Sequence, residues 1–421
     1  MLVLKNIAQV VTLGVGPVPR CGTEMEELGI IPDGAVLIRG QRIAWVGPSS
    51  DLPLHQYGSN AGTIDGTGLE LVALPGFVDS HTHPIFAGSR VDEYEMRCRG
   101  KSYQEISAAG GGIRASVRQL RQTSFGQLVR HGEKVFRQFL RHGTTTIEAK
   151  SGYGLSMEDE LKILRVIERL RSRSRLEVVP TFLGAHAVPD EFRDSRHVYV
   201  EKLVKEMIPR VAREGLARFC DVFCDTGYFT VEEARTILTA ARDHGLGLRI
   251  HAEELRHGGG ARLAAEFGAR SADHLEWVDD GDIAALRRAG TVATLLPGTA
   301  FNLGLTRYPP ARALIEARVP VALATDFNPG SCFTPNLQLI LSIACSQMSM
   351  TPAEAVTAAT INGAYSLGLA ERLGSIERGK QADIVLMSIP DYREIPYRLG
   401  VNHCVVAIKR GRVVLNLLER P

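Results

Sequence analysis

Eight short apolar runs recur through the middle of the chain, and stretches with helical periodicity such as MEDELKILRVIERLRS and VEEARTILTAARDHG separate them. The runs are GFVDSHTH, TTTIEAKSG, LEVVPTFLGAH, FCDVFCDTG, GLGLRIHAEE, RSADHLE, TVATLLPG and VPVALATDFN. Eight successive β-α units in one chain favour a closed (β/α)8 TIM barrel over an open Rossmann sheet. The interval after the first run, about residues 85–143, is longer than one helix requires. We therefore expect an extra loop or helix over the mouth of the barrel.

The two ends of the chain carry a different pattern, in which short strand-like segments alternate with turn residues. The segments are LVLKNIAQVVTL, AVLIRGQRIAWVG and ELVALPG near the start, and QADIVLMS and HCVVAIKRGRVVLNL near the end, with a hairpin turn at Gly411. A single hydrophobic core rarely grows past roughly 250–300 residues, so a chain of this length favours a second, smaller domain. We predict a composite β-sandwich domain from residues 1–68 and 376–421, and a barrel from residues 69–375.

The composition narrows the classes of molecule that the protein is expected to bind. The formal net charge is +2 with both signs mixed along the chain, which argues against a surface for nucleic acid. The seven cysteines are scattered without paired CxxC knuckles, so neither a disulfide framework nor a structural zinc site is indicated. The start of the chain has no leader pattern, and no stretch reaches the roughly 18 apolar residues of a membrane span. We expect a soluble, cytoplasmic protein that acts on a small molecule.

Nearly every one of the eight runs ends in a polar or ionisable residue. These residues are His81 and His83, Lys150, His186, Asp225, His251 and Glu254, His274, and Asp326; the seventh run, which ends at Pro297, has none. TIM-barrel enzymes build their active sites at the carboxyl ends of the strands. A purely structural barrel has little reason to place so many histidines there, so the pattern indicates a catalytic barrel.

His81 and His83 flank a single residue, so in an extended segment both side chains point to the same face. His251 and Asp326 stand at the ends of later strands. Three imidazoles and one carboxylate suit Zn²⁺ or Fe²⁺ with a position left open for water. Such an ion lowers the pKa of a bound water toward roughly 7, which makes hydroxide available at neutral pH.

Hydrolysis also needs a group that accepts the proton of the water and returns it to the leaving nitrogen. Glu254, three residues beyond His251, is our candidate for this general base, and Glu253 is its competitor. His274 could stabilise the developing oxyanion or orient the water, or it could be a core histidine bonded to backbone. Asp326 could serve both as a metal ligand and as an acceptor for the attacking water.

Three further candidates each have a structural alternative. Arg90 follows the first run, where its guanidinium could hold a substrate carboxylate bidentately or form a surface ion pair. Tyr153 lies among glycines in SGYGL, which leave room for a ligand or simply make a turn. Lys150 ends the second run, where some barrel hydrolases carry a carboxylated lysine between two metals; a structural ion pair is the interpretation that we favour.

The ordered motifs resemble the amidohydrolase superfamily and, within it, the imidazolonepropionase family. The motifs are LPGFVDSHTHPIFAGSR, GKSYQEISAAGGGI, EAKSGYGL, TFLGAHAVP, DVFCD, HAEE, ADHLE, LLPG and ATDFNPGS. The HTH pair with a later strand-end Asp is typical of the whole superfamily, whereas FAGSR, GGGI and KSGYG narrow the resemblance to this member. The resemblance extends over about residues 70–375, and the β-rich ends match the composite domain of the superfamily.

The resemblance implies hydrolysis of 4-imidazolone-5-propanoate to N-formimidoyl-L-glutamate, a step of histidine degradation, by a homodimer with one Zn²⁺ or iron (Fe²⁺ or Fe³⁺) ion per subunit. The implied metal ligands are His81, His83, His251 and Asp326, and the implied substrate-contacting residues are Arg90, Tyr153, His186, Glu254, Asn328, Gly330 and Ser331. Glu254, His274 and Asp326 are the predicted catalytic residues. Two positions depart from the family pattern: Glu253 stands where an Asp is common, and Ser331 where Thr is expected.

Two other functions are compatible with the pattern. A mononuclear-metal deaminase of a purine, pyrimidine or related ring would use the same ligands, but a neutral ring does not need the carboxylate clamp that Arg90 suggests. A catalytically inactive scaffold of the same fold would have little reason to keep all four ligands.

Overall fold

The computed structural model describes residues 1–53, 61–101, 105 and 110–418. Most of the central part of the GKSYQEISAAGGGI motif lies outside the described residues. No helix in the described part of the chain combines the length and the apolar character that crossing a bilayer requires. All seven cysteines carry free thiols, as their scattered spacing predicts.

The strands of the described residues form two sheets. In chain order they are β1 (Leu2–Val11), β2 (Ile30–Arg39), β3 (Arg42–Pro48), β4 (Gly62–Asp65), β5 (Leu71–Pro75), β6 (Phe77–Asp79), β7 (Thr144–Lys150), β8 (Glu177–Ala185), β9 (Phe219–Cys224), β10 (Gly247–Ala252), β11 (Ser271–His274), β12 (Val292–Leu295), β13 (Val321–Leu323), β14 (Ile384–Ser388), β15 (Cys404–Lys409) and β16 (Arg412–Asn416).

Strands β6 to β13 are parallel and lie side by side in sequence order. The seam between the last and the first strand is closed just beyond their ends, where Asp326 N donates to His81 O at 3.1 Å and His83 N donates to Phe327 O at 2.9 Å. All residues of β7, β8 and β9 are buried, because the barrel interior covers one face of each strand and helices cover the other. The predicted (β/α)8 barrel is therefore confirmed.

Helices connect the strands and cover the barrel. The α-helices are Val91–Cys98, Ile113–Gln122, Phe125–Arg141, Met157–Arg173, Arg196–Lys202, Ile208–Arg213, Val231–Asp243, Gly260–Glu266, Asp280–Ala289, Pro297–Asn302, Ala311–Glu316, Leu337–Gln347, Pro352–Ala358, Ile361–Ser366 and Glu394–Tyr397. A π-helical turn spans Leu203–Met207, and 3₁₀ turns span Gly22–Glu26, Ser49–Asp51 and Asp190–Phe192. The sequence marks several starts with capping boxes, at Ser124, Thr230, Asp279 and Thr351.

In its described residues, the long interval after β6 contains two helices before the one that packs against the barrel. They are Val91–Cys98 and Ile113–Gln122, and Phe125–Arg141 then leads into β7. The sequence predicts an extra loop or helix in this interval, and these two helices lie there.

The second sheet joins the two ends of the chain. Its order is β16-β15-β14-β5-β1-β2-β3, with β4 parallel to β1, and the pairing of β14 with β5 connects the two ends. Alternate apolar residues of these strands form a separate core that includes Ile7, Ile38, Ile384 and Val406. Gly411 has φ of +70° in the hairpin between β15 and β16, as its turn position requires. The predicted pairing of the ends is confirmed, and β5 extends this sheet past residue 68; the exact domain boundaries stay a prediction.

Candidate active site

Three histidines and one aspartate meet at the carboxyl ends of the barrel strands. We call His81, His83 and His251 the histidine cluster, and the aspartate is Asp326. The Nε2 atoms of His81 and His83 lie 3.3 Å apart, and Asp326 Oδ1 lies 3.5 and 3.4 Å from them. The candidate ligand atoms of His81, His83 and His251 all lie within 4.8 Å of one another, and the three side chains are buried. β6 ends at Asp79, so His81 and His83 follow the strand in an extended segment that contacts Phe327 at Thr82.

The protonation of these rings suits a cation. Burial, together with neighbouring positive charge, holds the pKa of both His81 and His83 well below its usual range. Two neutral imidazoles that direct Nε2 at one another repel unless a proton or a cation lies between them. Since Asp326 directs an oxygen at the same point, the donor set fits a divalent ion with nitrogen and oxygen ligands.

Buried acidic residues behind the histidines fix the orientation of two rings. His81 Nδ1 lies 2.7 Å from Asp273 Oδ2, and His251 Nδ1 lies 3.0 Å from Asp221 Oδ2. A carboxylate at Nδ1 holds the proton there and leaves Nε2 as the free donor atom. Although burial opposes ionisation, the neighbouring His251 ring and the Lys150 ammonium group lower the pKa of Asp221, which stays a carboxylate.

Two buried basic side chains, Lys150 and Arg249, lie among these acidic residues. Lys150 Nζ lies 2.6 Å from Asp221 Oδ2 and 2.8 Å from Glu148 Oε2, and none of these side chains is exposed. Arg249 Nη2 donates to Ser80 O at 2.9 Å and lies 3.3 Å from Asp273 Oδ2. Lys150 is therefore part of a structural ion-pair network, the interpretation that its sequence position favours. We call Glu148, Lys150, Asp221, Arg249 and Asp273 the buried charge layer.

The structure separates the two adjacent glutamates, which sequence could not do. Glu254 lines the cavity at the barrel mouth, and its Oε2 lies 3.5 Å from His274 Nε2. Glu253 points elsewhere, because its carboxylate accepts from Gly259 N at 2.7 Å and Ala261 N at 2.8 Å. Glu253 thus shapes the loop before the helix Gly260–Glu266, and Glu254 is the carboxylate next to the histidines.

Neighbouring groups hold Glu254 in place and change its acidity. Asp225, at the end of β9, accepts through Oδ2 from the backbone N–H of Glu254 and of Leu255, both at 2.8 Å. Burial raises the pKa of Glu254 well above its usual range, and the negative charges of Glu276 and Asp326 raise it further. Glu254 is therefore a stronger base than an exposed carboxylate.

Several residues at these strand ends have left-handed backbone conformations. The φ angles are +53° at Glu253, +82° at His274, +73° at Leu275 and +50° at Asp326. Such angles in residues other than glycine cost of order 1–3 kcal/mol each and persist where the surrounding structure enforces them. Here they turn the chain sharply at the barrel mouth, where the polar side chains converge.

All the predicted site residues except His81 line one cavity of about 500 Å³. His81 lies behind the cavity wall with its ring fully buried. The predicted residues on the wall are His83, Arg90, Tyr153, His186, His251, Glu254, His274, Asp326, Asn328, Gly330 and Ser331. The rest of the wall combines apolar side chains such as Phe223 and Leu303 with the charged side chains of Glu93, Arg97 and Lys101. The cavity brings the histidine cluster, a carboxylate base and a cation to one small volume.

Arg90 is held by Glu93 at one side of this cavity. Its Nε and Nη2 donate to the two carboxylate oxygens of Glu93 at 3.0 and 2.7 Å, and both side chains are largely buried. Glu93 Oε1 also accepts from Gly112 N at 3.1 Å. This pair is largely buried, unlike the surface ion pair considered from sequence, and it leaves the N–H groups of Nη1 and the outer N–H of Nη2 outside the bonds to Glu93.

Gly330 allows Arg90 to approach the loop after β13. A Cβ at this position would overlap Nη1 of Arg90, so a side chain here would displace the guanidinium. The same loop is shaped by Asn328, whose Oδ1 accepts from the backbone N–H of Gly330 and Ser331, both at 2.8 Å. Ser331 keeps the hydroxyl of the expected Thr, and this hydroxyl accepts from Asn328 Nδ2 at 2.8 Å.

The SGYGL loop places Tyr153 and His186 beside His83. The Glu160 carboxylate organises this loop by accepting from the N–H groups of Gly154 at 2.7 Å and Leu155 at 2.9 Å. His186 stacks on His83 with ring centroids 5.1 Å apart, and its Nδ1 lies 3.0 Å from Gly152 O. Burial raises the pKa of Tyr153, so its hydroxyl stays protonated and can donate.

Several residues with structural influence on the site were not predicted. They are Glu93, Glu148, Asp221, Arg249, Asp273 and Glu276. The available signal was charge inside apolar strands, because Asp221 in FCDVFC and Arg249 in GLRIHA interrupt runs that are otherwise suited to a core. Glu93 lies three residues after Arg90, a spacing that allows a pair on a helix.

Comparison with known proteins identifies the class to which this fold and site belong. The amidohydrolase family model matches residues 72–416. An adenosine deaminase structure from Xanthomonas campestris with bound zinc superposes with a TM-score of 0.74 at 18% identity, covering 100% of this chain and 94% of that one. Guanine deaminase from E. coli superposes with a TM-score of 0.75 at 16% identity, covering 98% of each chain. The protein is a hydrolase of the amidohydrolase family.

Sequence relatives narrow this class. An imidazolonepropionase of Solibacter usitatus is 51% identical over 397 residues, which is 94% of each chain. An imidazolonepropionase of Geobacillus kaustophilus is 47% identical over 419 residues, covering 99% of this chain and 98% of that one. The chain belongs to the imidazolonepropionase family, as the FAGSR, GGGI and KSGYG motifs predict.

Proposed function

We propose that this protein opens the ring of 4-imidazolone-5-propanoate at its amide C–N bond and releases N-formimidoyl-L-glutamate, a step of histidine degradation. The observation that carries the proposal is that one cavity of about 500 Å³ is lined by both Arg90 and Glu254 together with the histidine cluster. A ring that carries a propionate needs a cation for its carboxylate and a proton carrier for its amide, and this cavity offers both. The names of the relatives agree with this substrate.

One metal ion is part of the proposal. His81, His83, His251 and Asp326 would hold it, and their donor atoms suit Zn²⁺ or iron (Fe²⁺ or Fe³⁺). When bound, the ion acts as a Lewis acid and lowers the pKa of water toward roughly 7. The histidines are presented for this purpose by Asp221 and Asp273 of the buried charge layer.

Glu254 moves the proton in the proposed reaction. Its carboxylate accepts a proton from the attacking water and delivers it to the ring nitrogen as the amide C–N bond breaks. The burial and the neighbouring negative charges that raise the pKa of Glu254 bring it closer to the working pH, so both transfers are favourable. The products of this step are a new carboxylate and a protonated leaving nitrogen.

His274 assists from the opposite side of the carboxylate. Burial lowers the pKa of His274 to about 3, so the ring is neutral and bears one N–H at neutral pH. Its Nε2 lies 3.5 Å from Glu254 Oε2, which lets the ring orient this base or donate to the carbonyl oxygen of the substrate. Asp326 Oδ2 accepts from Thr299 Oγ1 at 2.6 Å, which fixes the carboxylate and directs Oδ1 at the histidines.

The remaining wall residues account for the selection of the substrate. Arg90 Nη1 would bind the propionate, while the Tyr153 hydroxyl and the His186 ring would contact the polar ring. The loop of Asn328, Gly330 and Ser331 closes the cavity beside Arg90. A deaminase of a neutral heterocycle would not need Arg90, and a scaffold without activity would not need the four convergent ligands.

A combined assay tests the proposal. The purified protein is analysed for metal and then mixed with freshly prepared 4-imidazolone-5-propanoate, while loss of absorbance is followed and the product mass is measured. We expect stoichiometric metal, ring opening and a product that has gained one water. Ammonia release from guanine, adenosine or cytosine without turnover of the imidazolone would contradict the proposal. Light scattering tests the homodimer that the resemblance implies.

A further inference from the structure

A second cavity adjoins the active-site cavity and is rich in arginine. It encloses about 420 Å³, and four arginines line it: Arg114, Arg193, Arg196 and Arg256. Both cavities share Ile113, Tyr228 and Leu255 in their walls, so they are neighbouring compartments of the barrel mouth.

The charges of this second cavity are only partly compensated. Arg114 Nε lies 3.0 Å from Asp190 Oδ1, and Arg196 Nη2 lies 2.8 Å from Glu233 Oε2. Among the described residues, Arg193 and Arg256 have no side-chain hydrogen bond or ion pair. No acidic residue belongs to the described wall of the cavity. The cavity therefore offers two uncompensated guanidinium groups to a ligand.

Guanidinium groups match the planar fork of a carboxylate, and two of them around one cavity match a ligand with two carboxylates. The proposed reaction converts a monocarboxylate into a dicarboxylate, because cleavage of the ring amide creates a second carboxylate. In the active-site cavity, Glu93 already pairs with Arg90 and Glu105 with Lys101, and Arg97 is a further cation on the wall.

We propose that the arginine cavity is an anion-binding vestibule that takes small dicarboxylates, the chemical class of the product, beside the active site. The choice of this class rests on the proposed function; the capacity of the cavity to bind an anion rests on its arginines alone. Arg193 and Arg256 supply the binding charge, and Tyr228 and Leu255 form the boundary that the ligand passes.

The test measures binding rather than turnover and uses glutarate as the probe. Calorimetric titration is carried out on the metal-loaded Arg90→Gln protein, which weakens the competing carboxylate site, and on the same protein with Arg193→Gln and Arg256→Gln added. We expect glutarate to bind the first protein, and to bind the second about tenfold more weakly or worse, because charge-assisted hydrogen bonds are lost. Glutaramide, which is uncharged, should bind neither protein.

A matched control removes the same charge elsewhere. Arg287 and Arg288 are exposed in the last turn of the helix Asp280–Ala289, at the end of the barrel opposite the strand carboxyl ends. Arg287→Gln with Arg288→Gln in the Arg90→Gln protein should leave glutarate binding unchanged. Thermal unfolding of all variants checks folding, and both pairs of arginines are exposed, so similar midpoints are expected.

Two outcomes would overturn the vestibule. In the first, glutarate fails to bind the Arg90→Gln protein; in the second, it binds equally to the variants with and without Arg193 and Arg256. If glutarate binding is lost as expected but the protein with its own Arg90 does not turn over the imidazolone, the vestibule stands as an anion site and the proposed function fails.

Discussion

The floor and the rim of the active-site cavity are built in opposite ways. The floor is the histidine cluster with the buried charge layer beneath it, held on parallel strands whose register places His251 beside Asp273 and Arg249 beside Asp221. The rim consists of Arg90, Glu93 and Glu254, which stand on loops and a helix; Glu93 is buried, and Arg90 and Glu254 are half-buried. Strand register fixes the floor, so its side chains have one arrangement, whereas the rim depends on a few side-chain bonds.

This difference separates two roles. Under the proposed function, the floor would hold the ion, and the rim would set which substrate is accepted and where the proton goes. Variants of the floor should change metal affinity and stability, and variants of the rim should change kinetics while the metal stays bound.

The largest effect is expected at Glu254. Glu254→Gln should lower kcat by about 10²–10⁴-fold, because an amide cannot carry the proton. Metal content, measured by mass spectrometry of the digested protein, should be unchanged. Glu253→Gln is the matched control, since its carboxylate holds backbone N–H groups and its loss should lower the melting temperature more than the intrinsic rate. An equal loss of kcat in a stable Glu253→Gln protein would assign the base to Glu253.

Asp273→Asn tests the floor. It removes the negative charge beside His81 Nδ1 and leaves Arg249 and Lys150 with one partner fewer, so metal affinity should fall about 10–100-fold. Competition with a chelator measures this affinity. Asp383→Asn breaks a buried pair with Lys409 in the terminal sheet at 2.6 Å, and it should lower stability without changing metal affinity. A similar affinity change in both variants would mean that the floor acts only through global stability.

Glu93→Gln tests the rim. The variant weakens the fork that positions Arg90, and kcat/KM for the propionate substrate should fall by about tenfold through KM. A ring analogue without the carboxylate should be turned over as before. Arg90→Ala should show the same selectivity with a larger change in KM. If both substrates lose activity equally in both variants, Arg90 does not bind the carboxylate.

The smallest effect is expected at Glu276, whose buried charge raises the pKa of Glu254 after burial itself. Because the base is active when deprotonated, kcat/KM rises with pH through the pKa of Glu254. Glu276→Gln removes one source of the elevation, so this acidic limb should move to lower pH. A limb that stays in place, or moves to higher pH, would show that Glu276 does not act on the base.

The difference between the floor and the rim also explains which features could be predicted from the sequence. The barrel followed from the alternation of strand-like and helical runs, and His83, His251 and Asp326 stood out because polar residues at strand ends are visible in one dimension. The sequence favoured Glu254 over Glu253 without excluding Glu253, because their separation depends on a backbone turn with φ of +53° at Glu253 that sends the two side chains in different directions.

The buried charge layer was also missed, for a related reason. Asp221, Asp273 and Lys150 belong to three strands, and only their register reveals that the charges compensate one another. Likewise, the fit of Arg90 against Gly330 depends on the approach of two distant segments. The sequence shows such contacts between distant elements only indirectly, as polar or charged residues within otherwise apolar segments.

The seam of the barrel has a consequence for biosynthesis. The hydrogen bonds that close it join His81 and His83 to Asp326 and Phe327, so the first and last barrel strands meet at the proposed ligands themselves. While the chain is emerging from a ribosome, His81 and His83 are available long before Asp326 is made. An ion that needs all four ligands can be retained only after the final strand has docked, so metal retention would report completed folding of the barrel.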